Sequence, residues 1–112
     1  MSSNGGKQAE GVLSWGALRI DLQCHQAEVN GTPLELTLTE FRLLTLLLAG
    51  RGRVVTREEI LREVWGPGDA GRPRALDVHI RRLRGKLGGA ASASIVTIRK
   101  VGYRLALASA GG

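Results

Sequence analysis

The chain has 112 residues and a mass of 12.0 kDa, enough for one folded domain around a single core and too little for two. Apolar residues at 43% and charged residues at 23% exclude a disordered chain, and aromatics at only 4% require an aliphatic core. The net charge is +6 and unevenly placed: residues 1–69 carry seven basic and nine acidic side chains, residues 70–112 nine basic and one acidic, so one surface is suited to a polyanion unless it is merely a solvated cationic face.

Residues 1–11 read as a flexible leader or linker remnant, residues 12–107 as the folded domain, and residues 108–112 as a flexible tail. From Val12 to Thr37 the apolar pattern has period two. Leu18, Ile20 and Leu22 alternate with Arg19 and Asp21, Ala27 and Val29 continue the alternation, and Leu34 and Leu36 follow Pro33. Asn30-Gly31 is a hairpin turn signal because both residues tolerate positive φ. An antiparallel sheet of three or four strands is expected.

The period then becomes helical. Thr37 and Glu40 form a capping box, in which each side chain satisfies the other's free backbone N–H. Leu38, Phe41, Leu44, Leu47 and Leu48 follow as an apolar stripe, and Gly50 is placed to end the helix in a left-handed conformation. A second box, Thr56 with Glu59, opens a helix striped by Ile60, Leu61, Val64 and Trp65 and stopped by Gly66-Pro67. Its carboxylates, Glu58, Glu59 and Glu63, read as a first-turn preference and a solvated face. Residues 66–71 form a loop. A third helix runs from about 73 to 87, opening on Pro73. A strand at Ile95 to Ile98, a turn at Lys100 to Gly102 and a returning strand from Tyr103 complete the chain, with the hairpin spanning about 95–105. The order is sheet, three helices, hairpin.

On the third helix Leu76, Ile80, Leu83 and Leu87 share a narrow sector that faces a core. The opposite sector holds Arg74, Val78, Arg81 and Gly85, with Asp77 and Arg82 at its edges. Such a face fits the major groove of DNA. Arginine can bond guanine O6 and N7 together, valine can touch a thymine methyl, and Asp77 can accept from cytosine N4. Arg84 and Lys86 are placed for phosphates, which position a helix without reading sequence. The alternative is an arginine-rich surface helix in an ordinary bundle. The hairpin that follows carries Arg99, Lys100 and Arg104, so the helix and a flanking cationic hairpin together describe a winged helix-turn-helix, an α+β fold.

The segments LTLTEFRLLTLLL, GRVVTREEILREVWG, ALDVHIRRLRGKL and IVTIRKVGYRL together resemble the OmpR/PhoB-type effector domain of two-component response regulators, over Leu18 to about Leu107. The resemblance implies sequence-specific binding to double-stranded DNA and control of transcription, with the third helix in the major groove and the wing on the minor groove or backbone. It implies base contacts from Asp77, Val78 and Arg82, a backbone contact from Arg81 that the geometry above lets reach bases instead, and a minor-groove contact from Arg99. Backbone contacts fall to Arg74, Ala75, Arg84 and Thr97, to Trp65 unless it is core, and to Tyr103, partly buried under the wing with its hydroxyl free to reach a phosphate; Lys86 and Lys100 join them as cations by placement. Implied partners are DNA direct repeats bound by head-to-tail dimers of a chain that is monomeric alone, RNA polymerase at the 66–72 loop, a receiver domain and an upstream histidine kinase.

The sequence departs from the family pattern at Lys100, where the wing usually has glycine, and at Ala75, which replaces a frequent hydroxyl residue. The loop, GPGDAGRP, lacks an aromatic or apolar anchor for polymerase. No receiver domain lies within these residues, so an excised effector domain or a stand-alone regulator is expected.

Other chemistries find little support. Cys24, the single cysteine, excludes an internal disulfide, and with His25 makes too few ligands for a metal, so no cofactor is expected. Two histidines and no nucleophile or phosphate-cradling motif argue against an enzyme. The apolar run at residues 43–49 is too short for a bilayer, and the N-terminus lacks a secretory pattern, so a cytoplasmic protein without membrane contact is expected. His79 reads as semi-buried packing beside the core stripe, and Trp15 as packing of the sheet against the helices. Two rivals keep the basic face but change its partner: an acidic protein, or structured RNA.

Overall fold

The computed structural model describes residues 11–66, 73–88 and 93–107, so the leader at 1–10, the loop at 67–72 and the tail at 108–112 lie outside the described residues. The first four strands are β1 (Val12–Trp15), β2 (Leu18–Asp21), β3 (Gln26–Val29) and β4 (Thr32–Leu34), which pair antiparallel in sequence order. Alternation does what the sequence predicts: Leu18, Ile20, Ala27 and Val29 are buried while Arg19 is exposed. Asn30 (φ 53°) and Gly31 (φ 81°) close the Val29–Thr32 hairpin as a two-residue turn with both centres left-handed. The β2–β3 connection is pinned by the Asp21 carboxylate, which accepts from the N–H groups of Cys24 and Gln23; these bonds, led by that of Cys24, hold its pKa below the ordinary value. β4 stops at Leu34, short of the predicted alternation through Leu36.

The first helix, α1 (Leu38–Gly50), opens on the predicted box. Glu40 N–H donates to Thr37 Oγ1 at 3.1 Å and Thr37 N–H to Glu40 Oε1 at 3.0 Å. Two expectations are corrected. Leu38 is 52% exposed and does not belong to the buried stripe, whereas Leu43 is fully buried, because α1 lies between the sheet and the other helices and buries two sides. The left-handed cap is Arg51 (φ 52°) and not Gly50, which stays helical and packs closely under Val55.

Next comes a two-residue strand, β5 (Val55–Thr56), followed by α2 (Arg57–Ile60) and a π-helical turn (Leu61–Trp65) that ends on the Gly66 N–H donating to the Leu61 carbonyl. Only half of the second predicted box forms, with Thr56 Oγ1 accepting from Glu59 N–H. The third helix, α3 (Pro73–Gly88), leads to the hairpin β6 (Ala93–Ile98) and β7 (Gly102–Leu107). β5 joins that hairpin, giving a second sheet of order β5-β7-β6. This strand was not foreseen. It requires Gly102, where a Cβ would stand 2.0 Å from the Val55 carbonyl oxygen.

One core unites both sheets and all helices, with Leu44, Leu47, Ile60, Leu76, Leu83 and Leu105 fully buried. Trp15 is partly buried against it and its indole edge covers Gly52, so it packs sheet to core as expected. Among the described residues no helix is long and apolar enough to cross a membrane.

Candidate nucleic-acid interface

The α3 stripe is as the spacing predicts, with Leu76, Ile80, Leu83 and Leu87 at 0–1% exposure against α1 and β6. Burying that stripe forces the opposite side into solvent. There Val78 is 45% exposed, Arg81 and Arg82 are exposed, and Gly85 has open space where a side chain would be. The result is a narrow face with two unobstructed arginines around one branched apolar group. The side chains of Arg74 and Ala75, assigned to this face from the sequence, lie outside the described residues.

One flank of α3 meets the wing. Tyr103, only 3% exposed, donates its hydroxyl hydrogen to Asp77 Oδ1 at 2.8 Å. Arg57 Nη1 donates to the same phenol oxygen at 3.2 Å and approaches Asp77 Oδ1 at 3.5 Å. Burial pushes the Tyr103 pKa up, and the Asp77 carboxylate pushes it the same way. The hydroxyl that the sequence reading leaves free is therefore engaged within the protein. Farther along, Arg84 Nε donates to the Ile95 carbonyl at 3.0 Å and its Nη2 to Thr97 Oγ1.

The other flank meets α1. Lys86 Nζ lies 2.6 Å from Glu40 Oε1, and the Glu40 side chain is 1% exposed. Burial pushes that carboxyl up. The Lys86 and Thr37 hydrogen bonds, with the charges of Lys86 and His79, outweigh it and hold the pKa below its ordinary value. Lys86, assigned to phosphate from the sequence, has its ammonium on a buried carboxylate here. His79 is partly buried, its ring 5.7 Å from that of Trp65, and Trp65 packs against the core.

The wing tip is open. Arg99, Lys100 and Val101 are exposed, and the Val101 N–H donates to the Ile98 carbonyl to close the turn. Lys100 occupies the position that needs positive φ, at 65°. The tip is tied back to the helices by Arg57 N–H, which donates to the Val101 carbonyl at 3.0 Å.

Residues 31–105 match the family described as "Transcriptional regulatory protein, C terminal". The chain belongs to this family. Over 98 residues it is 43% identical to the sensory transduction protein RegX3 of Mycolicibacterium smegmatis, covering 86% of this chain and 43% of that protein, so it spans less than half of that relative's length. The DNA-binding domain of CpxR from E. coli is similar in structure, with a TM-score of 0.73 at 38% identity over 88% of this chain and 98% of that one. The DNA-binding domain of RstA from Klebsiella pneumoniae, solved in complex with the RstA box, has a TM-score of 0.73 at 33% identity over 85% and 96%. The winged helix-turn-helix of OmpR/PhoB-type response regulators, expected from the sequence, is thus the fold of this family member.

The structure brings nine of the expected site residues into three groups and leaves Lys86, on Glu40, and Trp65, against the core, outside them. Val78, Arg81 and Arg82 form the open face, Arg99 and Lys100 the open wing tip, and Asp77, Arg84, Thr97 and Tyr103 a polar seam between them. Arg57 joins that seam although the sequence reading passed over it. Its signal was a cation in the first turn of a helix, against the helix dipole, where a carboxylate is the stabilising choice.

Proposed function

We propose that this family member binds double-stranded DNA sequence-specifically as the output domain of a response regulator and so controls transcription, acting by binding and not by catalysis. The observation that carries the reading is the exposed side of α3, where Val78, Arg81 and Arg82 face solvent while the opposite stripe is wholly buried. A helix with that face enters the major groove, Arg81 and Arg82 bonding guanine edges and Val78 a thymine methyl. Arg99 and Lys100 bring the wing tip to the minor groove and backbone. Trp65, Arg74 and Ala75 complete the backbone contacts that the family resemblance implies. In a longer protein a receiver domain and its histidine kinase govern this output, pairs of chains bind direct repeats head to tail, the 66–72 loop meets RNA polymerase, and the whole operates in the cytoplasm.

Selection of bound sequences from a random duplex pool identifies the site and the repeat spacing. On the selected site, Arg82→Ala is expected to cost about 1–3 kcal/mol, confined to one base position. Equal weakening on cognate and random duplexes would remove Arg82 from the base readers, and preference for A-form RNA or for an acidic protein over any duplex would overturn the reading.

A further inference from the structure

The wing meets α3 through polar as well as apolar side chains, and both polar contacts end on one cross-strand pair. Thr97 and Tyr103 face each other across β6 and β7. Tyr103 is held from the first half of α3, by Asp77 Oδ1 at 2.8 Å. Thr97 is held from the second half, by Arg84, which also bonds the Ile95 carbonyl. Asp77 and Arg84 are seven residues apart, close to two helical turns, so they share one flank of α3 at a separation of about 10 Å along its axis. A single tether leaves a hinge. Two tethers at that separation fix the angle between helix and hairpin as well as the distance. Arg57 adds a third anchor from α2, through Tyr103 Oη and the Val101 carbonyl.

The Asp77 charge is offset by Arg57 at 3.5 Å, and its Oδ1 already accepts from Tyr103. Arg84 commits Nε and Nη2 to neutral acceptors on the wing and keeps its full charge.

We propose that Asp77 and Arg84 are positioning residues that lock α3 and the wing into one rigid reading unit through the Thr97–Tyr103 pair. The lock is a property of the free protein. Only its effect on affinity rests on the DNA-binding reading.

Four variants test it: Asp77→Asn, Tyr103→Phe, Arg84→Gln and Thr97→Val. In the free protein, backbone amides of β6 and β7 are expected to exchange about five- to tenfold faster in each, as loss of one charge-assisted hydrogen bond requires. The double variants D77N/Y103F and R84Q/T97V are expected to fall short of the sum of their singles, since both members of each pair remove one shared interaction. Unchanged exchange, or fully additive doubles, overturns the lock. On the selected duplex Tyr103→Phe and Thr97→Val, which keep every charge, are each expected to bind about three- to tenfold more weakly, with the wild-type salt slope and the wild-type base preference at every position. Wild-type affinity in both, or a base preference lost at one position only, would overturn the assignment. A wild-type chain that binds no duplex defeats the DNA-binding reading alone, because the exchange measurement needs no DNA.

Discussion

At the wing tip a lysine holds a backbone conformation that glycine would hold without strain. Lys100 sits at φ 65°, where a Cβ costs about 1–2 kcal/mol, and glycine returns part of that through its larger entropy loss on folding. Lys100→Gly is therefore expected to raise stability by about 0.5–1 kcal/mol, read as a higher denaturant midpoint at unchanged slope. The same variant is expected to weaken duplex binding and make its salt dependence shallower by about one unit, because a tip cation is gone. Gly102 is the opposite case. Its φ is ordinary, but an added Cβ would overlap the Val55 carbonyl, so Gly102→Ala is expected to separate β5 from β7 at a cost of about 3 kcal/mol in thermal or chemical denaturation. The sequence reading located both residues, since a turn between two apolar runs is a local signal. It read Gly102 as part of that turn, because the strand that crowds it comes from 47 positions earlier in the chain.

Elements with their own punctuation were legible, and elements made by contact were not. The box at Thr37 and Glu40 is written in four consecutive residues, and both of its bonds form. The stripe of α3 is written in its period, and every member is buried. β5, by contrast, is two residues long and shows no alternation; it exists because β7 arrives to pair with it. Which side chains α3 spends on its neighbours was equally hidden. Glu40 carries the capping box and also takes the Lys86 ammonium, and the second role follows only from α1 packing beside α3. Because the Glu40 pKa is lowered on folding, the folded protein binds fewer protons there than the unfolded chain. The associated stability is thus present above the ordinary value of 4.5 and is lost as pH falls below it through the depressed one. Glu40→Gln is expected to destabilise the protein at pH 7, with the gap to wild type narrowing as pH falls below 4.5, in urea titrations across a pH series. Lys86→Met, which strands the carboxylate, is expected to cost about 2 kcal/mol at pH 7, below the roughly 3–5 kcal/mol of a fully dry pair because the lysine is partly solvated.

For the molecule as a whole, the basic half of the chain leaves Arg81, Arg82, Arg99 and Lys100 exposed, on α3 and on the tip of the hairpin whose β6 packs against it. If each meets the phosphate field of a duplex, log K is expected to fall with log salt at a slope of about −3 to −4, measured by fluorescence anisotropy across a salt series. A flat response would mean that these cations do not face the backbone. The order of elements apart from β5, the α3 stripe, the basic half and the family were legible along the chain, because periodicity, capping and composition are properties of neighbouring residues. Which polar groups already hold a partner inside the protein became visible only in the fold. Lys86, Arg84 and Tyr103 each bond a residue 11 to 46 positions away, and a hydrogen bond across that separation forms only once the chain has folded.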